Sequence, residues 1–250
     1  MHTSEPLRGQ ATALALVGCG GRGTGAAVDA MNVKGRGPIK LVAMADVFED
    51  RLTSSYNSLK NNENARDKMD VPDERKFVGF DAYKKAMDCL RPGDVVIFAT
   101  PPAFRWVHFT YAVDKGLNVF MEKPVAVDPP GGRKIIAAGE MAKQKGLAVV
   151  AGTQRRHQAG YQRIKYALER GAIGEIAGGA VWWCGGALWY QTKKADESDA
   201  DYMVRNWVSF TEMSGDHIVE QHVHNLDVAN WYIGRTPTSA LGFGGRARRK

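Results

Sequence analysis

The chain has few cysteines, no long apolar run and no basic stripe, and each shortage closes off a class of protein. Its 250 residues include three cysteines, Cys19, Cys89 and Cys184, and no C-x-x-C pair. An odd count without paired spacing argues against a disulfide framework and fits a reducing compartment. No segment approaches the roughly 20 apolar residues that a membrane helix needs. Arg8 followed by the apolar run 11–17 has the outline of a short signal peptide, yet that run leads straight into a glycine loop and is needed as a first strand. The net charge of +7 points toward nucleic acid until its distribution is read. Arg246, Arg248, Arg249 and Lys250 supply four of those charges, which leaves +3 over the rest. No basic stripe with interleaved aromatics remains, so a nucleic-acid role is excluded. Internal repeats and low-complexity tracts are also lacking.

What the chain does have is 44% apolar residues, enough for a sizeable core in one large domain or two smaller ones. The run Leu14-Ala15-Leu16-Val17 empties into Gly18-Cys19-Gly20-Gly21-Arg22-Gly23, a G-x-G-x-x-G loop. Each glycine has a mechanical reason. Gly18 allows a tight turn, Gly20 lets the backbone approach a pyrophosphate, and Gly23 lets the helix pack closely on its strand. The phosphates would sit on the helix N-terminus, beside Gly21 and Arg22, where free N–H groups favour anions. Three spaced glycines also occur in ordinary turns, so the context matters. A second apolar run, Leu41-Val42-Ala43-Met44-Ala45, ends in Asp46, 23 residues past Gly23. That is close to where a dinucleotide fold places the carboxylate that binds the adenosine ribose. Together these features point to a nicotinamide or flavin nucleotide. Asp46 would accept hydrogen bonds from a ribose 2′-hydroxyl and repel a 2′-phosphate. NAD is therefore expected, with NADP the alternative that Arg22 and Arg51 favour.

Apolar runs near 12–17, 40–45, 76–79, 94–99, 117–121 and 147–152 alternate with helical segments, the pattern of a doubly wound parallel α/β sheet of Rossmann type. A helix over 103–115 ends at Gly116, a left-handed cap position. The polar segment 61–73, with Pro72, reads as a surface connection. After Gly152 the texture changes to a helix over 160–170, a turn at Gly171 and Gly174, and an aromatic strand Ala180-Val181-Trp182-Trp183. A boundary near residue 154 would separate a nucleotide-binding domain, 1–154, from a second domain, 155–250.

In an open parallel sheet, ligands bind at the carboxyl ends of the strands. That rule selects Thr100-Pro101-Pro102 after the fourth strand, Glu122-Lys123-Pro124 after the fifth, and Gln154, Arg155 and Arg156 after the sixth. Thr100, Pro101 and Glu122 join the glycine loop on the cofactor side. Lys123 reads either as a site residue or as a solvated loop lysine. A second constellation spans Gly215 to Asp227. With Asp216 as N-cap, Gly234 as C-terminal cap and Pro237 beyond, it is expected to be one helix. Val219, Val223, Leu226 and Ile233 would form its apolar stripe, and Glu220, His224, Asp227 and Trp231 would share another face. A histidine one turn from a carboxylate suits proton transfer near neutral pH. The same residues also fit a solvated i,i+4 pair, or a metal held by His217, Glu220 and His224. No fourth ligand can be named, and no metal is expected. The aromatic cluster Trp182, Trp183, Trp189, Tyr190 and Trp207 suits either stacking on a sugar or core and subunit contacts.

Taken together, Val17 to Gly23, the strand ending Ala45-Asp46, Ala99-Thr100-Pro101-Pro102, Glu122-Lys123-Pro124 and the helix through Glu220 and His224 resemble the glucose-fructose oxidoreductase / inositol dehydrogenase / rhizopine-catabolism (Gfo/Idh/MocA) family. The likeness covers essentially the whole chain. It implies an NAD-dependent oxidoreductase that moves a hydride between nicotinamide and a sugar or polyol hydroxyl, with Lys123, His224 and Glu220 catalytic. Arg155, Arg156, Trp189 and Asn206 are then the candidate substrate contacts. The family has an aspartate where Glu220 stands, and one extra methylene moves the carboxylate. Two alternatives accompany this reading: an NAD-dependent glycosidase or lyase working by transient oxidation and elimination, and a truncated, inactive nucleotide-binding protein. The resemblance also implies an α+β second domain with an open, mostly antiparallel sheet, here incomplete because the chain stops early, and a homo-oligomer where that sheet is complete. The stretch Arg205 to His217 resembles a branch often exported by a twin-arginine signal that is missing here. A cytoplasmic location is expected, or a periplasmic one if an export signal has been lost.

Overall fold

Six parallel strands form one sheet in the order β3-β2-β1-β4-β5-β6 in the computed structural model, which describes residues 11–35, 37–186 and 188–245. The basic end 246–250 and Arg8 lie outside the described residues. The strands are Thr12–Val17 (β1), Ile39–Asp46 (β2), Lys76–Val78 (β3), Val95–Phe98 (β4), Asn118–Met121 (β5) and Val149–Ala151 (β6). Between them run Gly21–Met31 (α1), Glu49–Asn61 (α2), Ala82–Asp88 (α3), Arg105–Asp114 (α4) and Pro129–Gln144 (α5). This order is the doubly wound Rossmann arrangement, with its switch point between β1 and β4.

The alternation of side chains along β1 explains the two helical layers. Leu14 and Leu16 pack with Ala26, Ala27 and Met31 of α1 and with Leu52 and Leu59 of α2. Ala15 and Val17 point the other way, into a cluster with Tyr83, Phe109 and Ile135 from α3, α4 and α5. Small residues on that second face, Ala15, Ala43 and Ala45, leave room for the aromatic rings opposite. Segment 61–73 is more than a surface connection: Ala65 and Val71 are buried in the α1/α2 layer, and Met69 bridges to Leu41. Gly116 has φ +71°, the left-handed cap that a helix ending there requires.

Beyond β6 lie Ala159–Glu169 (α6), Asp199–Arg205 (α7), Thr211–Ser214 (α8), Asp216–Glu220 (α9) and Val223–Ile233 (α10). The expected strand at Ala180–Trp183 does not form, and among the described residues no strand follows Ala151, so no antiparallel sheet is present there. A strand exists only beside a partner that takes its backbone hydrogen bonds, and no described segment offers one. The described residues fall into two compact units. One takes those within Met1–Gly152 and Ala187–Glu220, the other those within Thr153–Gly186 and Gln221–Lys250.

Candidate active site

The glycine loop is shaped by sterics at two of its glycines and by open space at a third. Gly18 has φ +97°, and a Cβ there would lie 2.6 Å from the Ala99 and Thr100 backbone. A Cβ on Gly23 would stand 2.0 Å from the Gly18 carbonyl oxygen, so α1 could not approach β1 as it does. At Gly20 a Cβ would meet only the Arg51 guanidinium, at 3.6 Å. Gly20 caps α1 without any side-chain hydrogen bond, and no acidic residue stands in the first turn. The first N–H groups of α1 therefore face open space, the condition a pyrophosphate needs. Gly21 borders no side chain that a Cβ would disturb.

Asp46 closes β2 beside this loop. Its carboxylate accepts from the Cys19 N–H at 2.7 Å and the Phe48 N–H at 3.0 Å, so it braces the glycine loop as well as facing the cleft. Burial pushes its pKa up, partly offset by those two N–H donors and by Arg51. Gly18, Gly20, Asp46, Arg51, Thr100 and Pro101 line an open cleft at the switch point. Phe48, Phe80 and Phe104 supply apolar walls. An adenosine diphosphate moiety fits such a lining: glycine backbone for phosphates, a carboxylate for ribose and aromatic edges for a base. His108, also on the wall, is held neutral, its pKa lowered to about 3 by burial and by buried Arg105. Its Nδ1 lies 3.2 Å from the Thr100 hydroxyl, and the Arg105 guanidinium donates to the Thr100 carbonyl at 2.8 Å.

Glu122 and Lys123 leave β5 at the same end of the sheet. Glu122 accepts from the Arg22 guanidinium at 2.8 Å, which ties the glycine loop to β5 and draws Arg22 away from any 2′-phosphate. Gly152 leaves the room for this carboxylate, because a Cβ there would come within 2.8 Å of it. The Lys123 ammonium donates to the Glu220 carboxylate at 2.8 Å and to the Glu220 main-chain carbonyl at 2.5 Å. The pair is largely buried, at 15% and 10% side-chain exposure, and the second Glu220 oxygen is enclosed without a hydrogen-bond partner.

That contact overturns the single helix expected through Glu220 and His224. A continuous helix would have the Glu220 carbonyl accept from the His224 N–H. Lys123 occupies that carbonyl, the His224 N–H donates to Gln221 at 3.3 Å, and the helix divides into α9 and α10. Asp216 is not a conventional N-cap either: its φ is +62°, and its carboxylate accepts from the adjacent His217 N–H. The expected apolar stripe also fails on α10. Leu226 and Ile233 are exposed, while His224, Asn225 and Val228 are buried. Polar residues can line the buried face because they are partnered. The Asn225 amide donates to the Trp182 carbonyl at 2.6 Å and accepts from Arg155, and His224 stacks on Trp183 at 5.5 Å.

The remaining candidates are engaged within the chain. Arg156 grips Asp227 through three contacts of 2.8–3.0 Å. Asn206 is 1% exposed, and its amide bonds to both backbone groups of Gln191 and to the Tyr202 carbonyl, so it braces its own segment and presents nothing to a substrate. Trp189 is half-exposed, edge-on to Trp207 at 6.5 Å. Among the described residues no group of three or more His, Cys, Asp or Glu is disposed to hold a metal, and no helix is long and apolar enough to cross a membrane. Sequence reasoning missed Val204 as a cleft residue and weighed Trp207 only as core or sugar platform. Both reach the switch-point cleft from a distant segment that carries no local motif.

No family model matches the chain. It is 25% identical over 154 residues, 61% of the chain and 39% of the relative, to a scyllo-inositol 2-dehydrogenase (NAD(+)) of Bacillus subtilis. It is 44% identical over 94 residues, 38% of the chain and 27% of the relative, to an inositol 2-dehydrogenase/D-chiro-inositol 3-dehydrogenase of Shouchella clausii. Over these segments the chain is similar to inositol dehydrogenases. The chain also shares its fold with the scyllo-inositol dehydrogenase of Lactobacillus casei solved with NAD(H) and scyllo-inositol: TM-score 0.59 at 21% identity, over 90% of this chain and 57% of that one. Its matches thus span well under two thirds of these dehydrogenases' own length.

Proposed function

We propose that the protein is an NAD-dependent oxidoreductase acting on a hydroxyl of a cyclitol, other polyol or sugar. The observation that carries this reading is a buried ammonium, Lys123, at the carboxyl end of the same parallel sheet whose switch-point cleft presents Gly18 to Gly23 and Asp46. When bound, NAD supplies a hydride acceptor for the carbinol carbon. An ammonium has three N–H donors, and Glu220 takes two of Lys123's, which leaves one for the substrate oxygen. Lys123 so held acts as a donor that stabilises alkoxide character as it develops, not as a base. Glu220 serves by fixing Lys123. His224 takes the hydroxyl proton in this reading, with Trp183 stacked on its ring. Asp46 receives the adenosine ribose and disfavours a 2′-phosphate.

Residues 1–154 bind the nucleotide and 155–250 supply substrate contacts, among them Arg155, with Val204 and Trp207 as exceptions on the nucleotide side. Of the candidate substrate residues, Arg155 and Trp189 keep that role in the proposal. The test is a panel of inositols, polyols and sugars read as NADH absorbance with the purified protein. A polyol that drives NADH formation, lost in Lys123→Ala with NAD affinity kept, supports the assignment. Nucleotide binding without turnover on any of them would refute it.

A further inference from the structure

We infer that the segment Glu197–Trp207 is a strap over the outer end of the nucleotide cleft, so that NAD stays resident between turnovers. The inference rests on the nucleotide reading above and adds how the nucleotide is retained. Val204 and Trp207 line the same cleft as Gly20, Asp46 and Phe48, although they follow Asp46 by more than 150 residues. The segment is fastened beside Asp46. Arg205 of α7 grips Asp50 of α2 with both terminal nitrogens, at 2.9 and 3.0 Å. Its guanidinium lies 3.8 Å above the Phe48 ring, and its Nε is 3.0 Å from the Glu197 carboxylate, which is 7% exposed. A bidentate, stacked arginine is a directional clamp that lysine does not reproduce. Ser198 caps α7 by accepting from the Asp201 N–H, and buried Asn206 ties the far end of the strap to Gln191.

This arrangement has a kinetic consequence. A nucleotide whose adenosine end lies under Val204 and Trp207 leaves only when the strap lifts, and lifting breaks the Arg205–Asp50 bridge and uncovers Phe48. Release is then governed by the population of the lifted state, which mutations of the clamp raise. Arg205 and Asp50 are positioning residues, because neither needs to touch the nucleotide.

The test measures release of bound NADH, chased by excess NAD and followed by its fluorescence, in the full chain and in Asp50→Asn, Arg205→Lys and Trp207→Ala. Asp50 is 59% exposed at its side chain, so Asp50→Asn removes the bridge without opening the core. Losing a bridge of this exposure is expected to speed release about fivefold, and Arg205→Lys to fall between it and the unmodified protein. Trp207→Ala is expected to weaken NAD and ADP-ribose by the same factor, which places the tryptophan at the adenosine end. Release rates equal within error in all three folded variants would overturn the strap while leaving the nucleotide reading standing. Failure of the unmodified protein to bind NADH or ADP-ribose would overturn the nucleotide reading and the strap with it.

Discussion

Replacing Lys123 with methionine should destabilise the fold as well as stop turnover, and a double-mutant cycle with Glu220→Gln separates the two effects. Methionine keeps the length and removes the charge, so the Glu220 carboxylate, 10% exposed, is left without its ammonium. Breaking a buried pair in this way costs about 3–5 kcal/mol. Glu220→Gln keeps the shape and the carbonyl contact to Lys123, and should cost less, about 1.5–3 kcal/mol, the range for one charged hydrogen bond. The double variant has no stranded charge, so its loss should fall short of the sum by about 2–3 kcal/mol. Urea unfolding with a common m value supplies the four stabilities. Alongside, Lys123→Met should cut turnover by ~10²-fold or more with NAD affinity nearly unchanged, because the ammonium acts on developing charge and not on the adenosine end. A coupling below about 0.5 kcal/mol would refute the contact, and with it the reason given for the break between α9 and α10.

Asp46→Ala should weaken NAD by about 1–3 kcal/mol through lost ribose hydrogen bonds, and it should also lower the stability of the nucleotide-free protein, since Cys19 and Phe48 lose their acceptor; calorimetric titration and thermal melts read the two separately. Gly23→Ala puts a methyl 2.0 Å from the Gly18 carbonyl oxygen, and the forced shift of α1 should cost about 3 kcal/mol or more and abolish NAD binding, seen by urea unfolding and nucleotide titration. His108 is neutral when folded, with its pKa lowered from 6.5 to about 3, so below pH 6.5 the unfolded chain binds a proton that the folded chain does not. Stability should therefore fall as pH drops from 6.5 toward 3, by about 2 kcal/mol at pH 5 from this group. In His108→Gln that part of the slope should vanish from urea unfolding at pH 7 and pH 5.

The Rossmann half was legible because its signals are local. Gly23 is required by the Gly18 carbonyl five residues away, Gly18 by its own positive φ in the turn, and the alternation Leu14-Ala15-Leu16-Val17 announces two packed faces. Asp46 followed from spacing, although its bracing of the loop did not. The α9–α10 break was hidden because its cause is Lys123, 97 residues upstream, taking a carbonyl that helical periodicity assigns to the chain itself. The run Ala180–Trp183 has strand-like residues, but a ladder partner is a property of the rest of the fold. Asn206 sat in a motif-like stretch and proved to be a buried brace, while Val204 and Trp207 reach the cleft by tertiary packing alone.

The central claim is that the switch-point cleft holds NAD through the glycine loop and Asp46. Calorimetric titration of the purified protein with NAD and NADP tests it most directly, after any copurifying nucleotide has been removed and identified by mass. NAD should bind at least about tenfold more tightly than NADP, a difference of ~1.4 kcal/mol, and ADP-ribose should compete with it. Tighter binding of NADP, or no binding of either nucleotide, would contradict the account.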